Sequence, residues 1–210
     1  MAPRRIAALI AALCSSCAAL EEEDVFRVRF DVVTQAGEGS FTVRVHPEWA
    51  PRGAARFREA VEAGVYDDTR FFRCVPGFVV QFGIPGDPSV ASRWRLRTIR
   101  DEPLRKPNSR GLVSFASTAS PHSRTTQLFI NLKLNANLDS MGFAPFGEIE
   151  GGGMHVVDHI FPCGDEPDQS RIQSEGNSYL DEDFPDLSQI VSARIVSGDP
   201  PPPPPAKEEL

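Results

Sequence analysis

The sequence lacks a surplus of basic residues, and it lacks a spacing of cysteine and histidine that would hold a metal ion. Acidic residues outnumber lysine and arginine by 29 to 22, which gives a formal net charge of −7. No basic stripe stands out against this balance, so the composition argues against nucleic acid as a partner. The cysteines have no zinc spacing with His46, His122, His155 or His159. We therefore expect no metal site.

The sequence also lacks an apolar run that would span a bilayer comfortably, which takes about twenty residues. The run from Ile6 to Leu20 is shorter, follows two arginines, and carries Ser16 and Ala18 at the −3 and −1 positions of a candidate cleavage site, with Ala19 as an alternative. This pattern predicts a cleaved secretory signal peptide over residues 1–19. The alternative is a buried N-terminal helix, for which a run rich in Cys, Ser and Ala is poorly suited.

An acidic block, Glu21 to Asp24, follows the predicted cleavage point. Removal of the signal peptide takes away two arginines and no acidic residue, so the formal net charge changes from −7 to −9. The mature chain keeps two cysteines, Cys74 and Cys163. An oxidising lumen permits a disulfide between them, but we expect two buried thiols. After cleavage we expect no association with membranes.

The C-terminal residues predict the location of the protein within the cell. Pro200 to Pro205 is an unbroken proline run, which favours an extended polyproline II rod and cannot join a packed core. Lys207 to Leu210 reads Lys-Glu-Glu-Leu and is similar to the Lys-Asp-Glu-Leu retrieval signal. We interpret residues 199–210 as a proline-rich tail that presents this signal to a retrieval receptor, which predicts residence in the endoplasmic reticulum lumen. The alternative is an acidic tail that ends in leucine by chance.

Between these ends, residues 25–198 form one compact domain with no internal repeat. Residues 26–32 alternate strictly between apolar and polar side chains, which is typical of a half-buried strand. A turn over residues 35–39 and a second alternating run over 41–45 predict a β-hairpin.

A helix is predicted from about Pro51 to Ala63, because proline suits its first turn and Gly64 lies where a C-terminal cap belongs. The run from Val156 to Phe161 is interpreted as the end of a second helix, and Pro85 to Leu104 as an inserted loop. Further short β-type runs are Phe71 to Val75, Phe78 to Phe82, Leu112 to Ala116, Gln127 to Asn131 and Gln189 to Val196. Many short strands with few helices indicate a mainly β fold, a closed antiparallel barrel.

Three blocks of sequence occur in a particular order. Residues 71–81 read Phe-Phe-Arg-Cys-Val-Pro-Gly-Phe-Val-Val-Gln, residues 112–130 run from Leu-Val-Ser-Phe-Ala-Ser to Thr-Thr-Gln-Leu-Phe-Ile, and residues 138–147 read Leu-Asp-Ser-Met-Gly-Phe-Ala-Pro-Phe-Gly. Together they resemble the cyclophilin family over about residues 25–198. The resemblance implies a closed eight-stranded antiparallel β-barrel capped by two α-helices. It also implies isomerisation of X-Pro bonds without a cofactor.

The same resemblance implies roles for particular residues. Arg73 matches the catalytic arginine of the family. The substrate-binding positions of the family fall on Phe72, Phe78, Val79, Gln81, Ala116, Ser117, Gln127, Phe129, Leu138 and Phe143. Ser117 replaces the usual Asn, and Phe72 and Phe143 stand where many members have His.

The chemistry of these residues is consistent with binding of a proline-containing segment. An apolar pocket suits a pyrrolidine ring, which is compact and has no donor to satisfy. The amides of Gln81 and Gln127 can pair with the flanking peptide groups, because each offers donors and an acceptor. Arg73 supplies a fixed positive charge. The alternative for each Phe taken alone is core packing, and for Arg73 it is a surface ion pair.

Two functions remain open at this point. One is an isomerase that assists folding in the secretory pathway and has proline-containing segments of client proteins as its partners. The other is a non-catalytic chaperone or scaffold module that binds such segments without turnover. Arg73 favours the isomerase, because a pure binder need not keep it. A serine hydrolase is excluded, since the sequence has no nucleophile elbow.

The two terminal signals predict how the protein is processed and where it stays. We expect the mature chain to begin near Ala19 or Leu20 and to remain inside the cell. Deletion of residues 207–210 should send it to the medium, because the retrieval receptor would lose its ligand. Mass spectrometry of the cellular protein and immunoblots of cells and medium test this. An intact Met1 in the cellular protein would contradict it.

Overall fold

The computed structural model describes residues 25–197, so the predicted signal peptide and proline-rich tail lie outside the described residues. The strands in this range are β1 (Phe26–Thr34), β2 (Gly37–Val45), β3 (Thr69–Arg70), β4 (Arg73–Val75), β5 (Val79–Phe82), β6 (Leu112–Phe115), β7 (Leu128–Asn131), β8 (Pro145–Ile149) and β9 (Gln189–Val196). The helices are α1 (Pro51–Glu62), α2 (Pro88–Arg95), α3 (Ala136–Ser140), α4 (Gly153–Val157), α5 (Gln169–Glu175) and α6 (Asn177–Asp183).

The strands form one antiparallel sheet in the order β3-β9-β1-β2-β8-β6-β7-β5-β4. The outermost strands, β3 and β4, are consecutive along the chain and are separated only by Phe71 and Phe72. Because two residues span only a short distance, the sheet must curl until its two edges approach each other. The predicted mainly β antiparallel fold is confirmed. The prediction of a closed eight-stranded barrel is wrong in detail, since the described sheet has nine strands and no hydrogen-bonded ladder between β3 and β4.

The additional strand results from a break at Phe71 and Phe72. Neighbouring residues of a regular strand point to opposite faces, yet these two side chains are 0% and 1% exposed. Both are packed into the core, so the run predicted as one strand from Phe71 to Val75 is interrupted. The Phe71 N–H donates to the Ser188 carbonyl (N···O 3.0 Å), and β4 begins only at Arg73.

The predicted hairpin is confirmed, and its register explains where the core lies. Strand β1 pairs with β2 from Phe26↔Val45 to Thr34↔Gly37, and it pairs with β9 on its other side. Phe30 lies at the centre of the buried face. Its ring centroid is 5.1 Å from that of Phe41, 5.7 Å from that of Phe82 and 6.2 Å from that of Phe57 on α1. The alternation seen in the sequence thus fills the interior with aromatic rings.

The helices differ in number from the prediction. Helix α1 is confirmed, ending at Glu62 with Gly64 just beyond it at a φ of +68°. Within the run Val156 to Phe161, predicted to end a helix, the short α4 ends at Val157. The prediction of two helices that cap the barrel is therefore wrong in number, because the described range contains six helices. None of these helices has the length and hydropathy to cross a bilayer.

The segment interpreted as an inserted loop, Pro85 to Leu104, contains helix α2. Its start has the usual signals: the Asp87 carboxylate accepts from the Ser89 N–H (2.7 Å) and Pro88 occupies the first turn. Trp94 is 7% exposed, with the guanidinium groups of Arg56 and Arg97 over its ring. This tryptophan therefore fixes α2 to the barrel.

Cys74 and Cys163 are free and buried, so the prediction of two thiols is confirmed. Burial raises the pKa of the Cys74 thiol to about 11 and also raises the pKa of Cys163. A thiol with a raised pKa is protonated at neutral pH, and the protonated form is a poor nucleophile.

We expect both thiols to react slowly with a disulfide reagent in the folded protein and rapidly once guanidinium unfolds it. The reason is that both burial and the raised pKa values keep the thiolate scarce. The measurement follows the thiolate that the disulfide reagent releases at about pH 8, and mass spectrometry then maps the labelled peptides. A gain of two hydrogens on reduction, mapped to the Cys74 and Cys163 peptides, would contradict this expectation.

Candidate functional site

The site begins with a row of side chains that crosses three neighbouring strands. Arg73 on β4 lies opposite Gln81 on β5, and Gln81 lies opposite Phe129 on β7. Directly paired residues share one face of a sheet. The next row along, Cys74, Val80 and Ile130, points to the other face and is buried in the core. The register of these strands therefore separates the site from the core.

A tight turn holds the first two strands in this register. Residues Val75 to Phe78 form a turn closed by the Phe78 N–H and the Val75 carbonyl (N···O 3.0 Å). Pro76 and Gly77 occupy its two central positions, and Gly77 has a φ of +68°. This is the conformation of a type II turn, in which proline pre-sets the first φ and glycine accepts the second. The Pro-Gly pair thus places Phe78 beside the cavity.

Polar contacts link the arginine to two glutamines. The Arg73 Nη1 donates to Gln81 Oε1 (3.3 Å), and Gln81 Nε2 donates to Gln127 Oε1 (2.9 Å). On its other side, Arg73 Nε lies 3.1 Å from Asp165 Oδ1. The Nε hydrogen does not point at that carboxylate and has no hydrogen-bond partner, so we regard the contact with Asp165 as an ion pair. Charge and amides are therefore arranged in a line along the cavity.

An apolar floor lies beside this line. It consists of Val79, Phe129 and Leu138, which are all buried, with Phe78, Ala116 and Phe143 packed around them. The rings of Phe129 and Phe143 meet edge to face with centroids 5.4 Å apart, an arrangement favoured by aromatic quadrupoles. This cluster is separate from the main core. It therefore presents an apolar surface to the cavity.

Together these residues line a cavity of about 690 Å³. Ten of the eleven residues predicted from the sequence are on its wall: Arg73, Phe78, Val79, Gln81, Ala116, Ser117, Gln127, Phe129, Leu138 and Phe143. Phe72 is not on it. Its side chain is 1% exposed and belongs to the main core, because the break before β4 turns it inward. The prediction that Phe72 binds substrate is therefore wrong.

A buried polar network supports the apolar floor from below, and sequence reasoning missed it. Asn108 is fully buried, and its Nδ2 donates to Asp139 Oδ1 and to the Phe143 carbonyl (2.8 Å each). Its Oδ1 accepts from Ser114 Oγ (2.9 Å). Arg124 is also buried and donates to the Gly142 carbonyl (2.7 Å). These bonds fix the segment that carries Leu138 and Phe143, and no local pattern in the sequence indicated them.

The cavity extends beyond the apolar floor into a polar half that the sequence did not predict. Helices α2 and α5 form part of its wall. The additional polar lining residues are Arg95, Thr98, Thr118, Ser123, Thr125, Gln169, Ser170 and Gln173. They come from segments far apart in the sequence, so only the tertiary structure brings them together.

Residues 29–175 match the family model described as "Cyclophilin type peptidyl-prolyl cis-trans isomerase/CLD". Among curated proteins, the chain is 28% identical to peptidyl-prolyl cis-trans isomerase B of Escherichia coli, over 79% of this chain and 99% of that protein. It is 33% identical to peptidyl-prolyl cis-trans isomerase A of Dickeya dadantii, over 69% of this chain and 73% of that protein. The match extends over most of the domain that carries the cavity.

Solved structures show the same fold. The chain resembles a Cryptosporidium parvum cyclophilin type peptidyl-prolyl cis-trans isomerase that was crystallised in the presence of the dipeptide Ala-Pro. The TM-score is 0.56 and the identity 21%, and the similarity covers 81% of this chain and 99% of that one.

The different locations of Phe72 and Phe129 predict different effects of the same substitution. Phe72→Leu should lower the free energy of unfolding by about 0.5–3 kcal/mol, as core substitutions do, and leave the binding of a proline peptide unchanged. Phe129→Leu should raise the dissociation constant of that peptide, because it removes the aromatic part of the apolar floor. Denaturant unfolding and peptide titrations measure both effects. Equal loss of binding in the two variants would contradict the assignment of Phe72 to the core.

Proposed function

This chain belongs to the family of cyclophilin-type peptidyl-prolyl cis-trans isomerases, and we propose that its cavity binds proline-containing segments of client proteins, with Arg73 as the catalytic residue. The activity of the protein is thus peptidyl-prolyl isomerisation. The observation that carries the proposed mechanism is the placement of Arg73, Gln81 and Gln127 in one connected line beside the apolar floor.

The reaction requires only that a barrier be lowered. Rotation about a peptide bond costs about 18–20 kcal/mol, because the nitrogen lone pair is delocalised into the carbonyl group. The cis and trans forms of an X-Pro bond differ by only about 0.5–1 kcal/mol. No bond is made or broken and no electrons are transferred. The side chains of the cavity need only bind the twisted amide better than the planar one.

Arg73 is suited to stabilise the twisted state. As the bond rotates, the proline nitrogen becomes pyramidal and regains its lone pair, which can then accept a hydrogen bond. The guanidinium group carries its charge throughout the physiological pH range and presents donors in a fixed fork. The contacts of Arg73 with Gln81 and Asp165 hold it at the edge of the apolar floor. A donor already in place costs little reorganisation during the reaction.

The rest of the cavity supports this step in two ways. The apolar floor accepts the pyrrolidine ring and excludes water that would stabilise the planar amide. Gln81 is paired with Phe129 of the floor, and both Gln81 and Gln127 line the cavity, where their amides can hold the substrate backbone on one side of the rotating bond. Gln81 is only 7% exposed and is bonded to Gln127, so this clamp is ordered in advance. The Ala-Pro dipeptide used with the Cryptosporidium parvum relative is consistent with a proline ligand here.

We further propose that the protein assists folding in the endoplasmic reticulum. This proposal depends on the N-terminal signal pattern and on the Lys-Glu-Glu-Leu terminus behind six prolines. Residues 1–24 and 198–210 lie outside the described part of the chain. The support for the location is therefore the sequence alone.

The role of Arg73 can be tested by substitution. Arg73→Ala should lower kcat/KM for a proline peptide by about a hundredfold, which corresponds to about 3 kcal/mol of transition-state stabilisation. Arg73→Lys should recover part of the loss, because it keeps the charge but not the fork. Arg29→Ala is the matched control, since Arg29 pairs with Asp31 outside the cavity.

Peptide isomerisation rates measure these effects, and circular dichroism checks that each variant is folded. A folded Arg73→Ala protein as active as the parent would remove Arg73 from the mechanism. A parent that binds the peptide without accelerating its isomerisation would favour a non-catalytic binding module.

A further inference from the structure

The polar half of the cavity has a wall that is built to be rigid. Helices α2 and α5 pack against each other, and Trp94 of α2 and Ile172 of α5 are buried in the main core. The segments before α2 and after α5 are joined where the Asn177 N–H donates to the Gly86 carbonyl (N···O 2.9 Å). At this point the two backbones nearly touch.

This close approach depends on glycine. Gly176 has a φ of +66°, and a Cβ added there would overlap the Gly86 carbonyl oxygen. Any other residue at 176 would force the two segments apart. The wall is thus positioned by the backbone as well as by side chains, and a rigid wall can discriminate between ligands because it loses little entropy on binding.

The charges on the cavity wall all have one sign. Its charged lining residues are Arg73 and Arg95, and no carboxylate is among the residues that line it. Arg73 is paired with Asp165. Arg95 instead donates from Nη1 to the neutral Gln173 Oε1 (3.3 Å), and no ion pair is found for it among the described residues. In a protein of net charge −7, the polar half therefore presents a cation that lacks an anionic partner.

The remaining lining of the polar half suits a hydrogen-bonded anionic group. Thr98 and Thr118 offer hydroxyl groups, and Gln173 offers its amide NH2 group, whereas the Ser123 hydroxyl already donates to the Ser120 carbonyl. A volume of about 690 Å³ is in the range of about 300–1,000 Å³ that accepts drug-sized ligands, so it exceeds the needs of one pyrrolidine ring.

Gln81 lies opposite Phe129 of the apolar floor and is bonded to Gln127. Gln127 also lines an adjoining small pocket together with Arg95 and Gln173. A substrate whose proline is on the apolar floor can therefore place a neighbouring residue in the polar half.

We propose that the polar half is a subsite for an acidic side chain close to the substrate proline, with Arg95 as the residue that determines this specificity. This inference rests on the proposed function, since it assumes that the proline occupies the apolar floor. Arg95 is exposed and screened by solvent, so the expected preference is modest. For an exposed ion pair it amounts to about a two- to fivefold effect.

The test uses pairs of short peptides that differ only by Glu or Gln, with the substitution scanned through the two positions before and the two after the proline. For the parent, kcat/KM should be about two- to fivefold higher for Glu at one position. The ratio should approach one in about 0.5 M salt, roughly three times physiological ionic strength, because salt screens exposed charges.

Two variants identify the residue responsible. Arg95→Gln should reduce the Glu/Gln ratio to about one, whereas Arg95→Lys should retain most of it. Arg93→Gln is the matched control, because Arg93 is exposed on the same helix but does not line the cavity. Its ratio should equal that of the parent.

Two results would overturn the Arg95 inference while leaving the proposed function in place. One is a Glu/Gln ratio of one at all four positions in the parent, and the other is an unchanged ratio in Arg95→Gln. If no peptide is turned over, the proposed function fails instead. The dissociation constants of the same peptide pairs then decide whether Arg95 selects an acidic side chain.

Discussion

The register between β4, β5 and β7 is the constraint on which both the core and the site depend. One row of side chains, Arg73, Gln81 and Phe129, faces the cavity, and the adjacent row, led by Cys74, faces the core. Because side chains alternate with a period of two, a slip of one residue would exchange the two rows. It would bury an arginine and a glutamine without partners and expose Cys74, Val80 and Ile130. The stability of the barrel and the formation of the site therefore require the same strand register.

The same register brings together the groups that the proposed isomerisation uses. The sheet supplies an apolar surface and a line of fixed donors at the same edge, and isomerisation of an X-Pro bond requires only those two elements. The supporting residues are buried below the surface: Asn108 fixes the segment of Phe143 by hydrogen bonds, and Arg124 holds the Gly142 carbonyl. Burial of these two polar side chains costs only a moderate free energy, because both are hydrogen-bonded. The cavity is therefore arranged before the substrate binds.

The sequence was sufficient where a local pattern determined the structure. Strict alternation predicted the hairpin of β1 and β2, and proline and glycine marked the limits of α1. Prediction from the sequence failed where tertiary contacts override the local pattern. Strand β8 contains Pro145 and Gly147 and lacks alternation, so it went unpredicted. Phe72 is within a run that resembles the family's site, yet the break before β4 turns its ring into the core. The polar half, where Arg95 meets Gln173, joins helices distant in sequence, which no local pattern reveals.

The most direct test of this account is an exchange experiment by NMR on a short Ala-Pro peptide with a small amount of the purified protein. The account predicts that the protein accelerates interconversion of the cis and trans forms while their ratio stays constant, since a catalyst lowers the barrier for both directions. The uncatalysed process takes tens to hundreds of seconds at about 25 °C, so any acceleration is readily measured. Peptide resonances that shift on binding, with no change in the exchange rate, would contradict it.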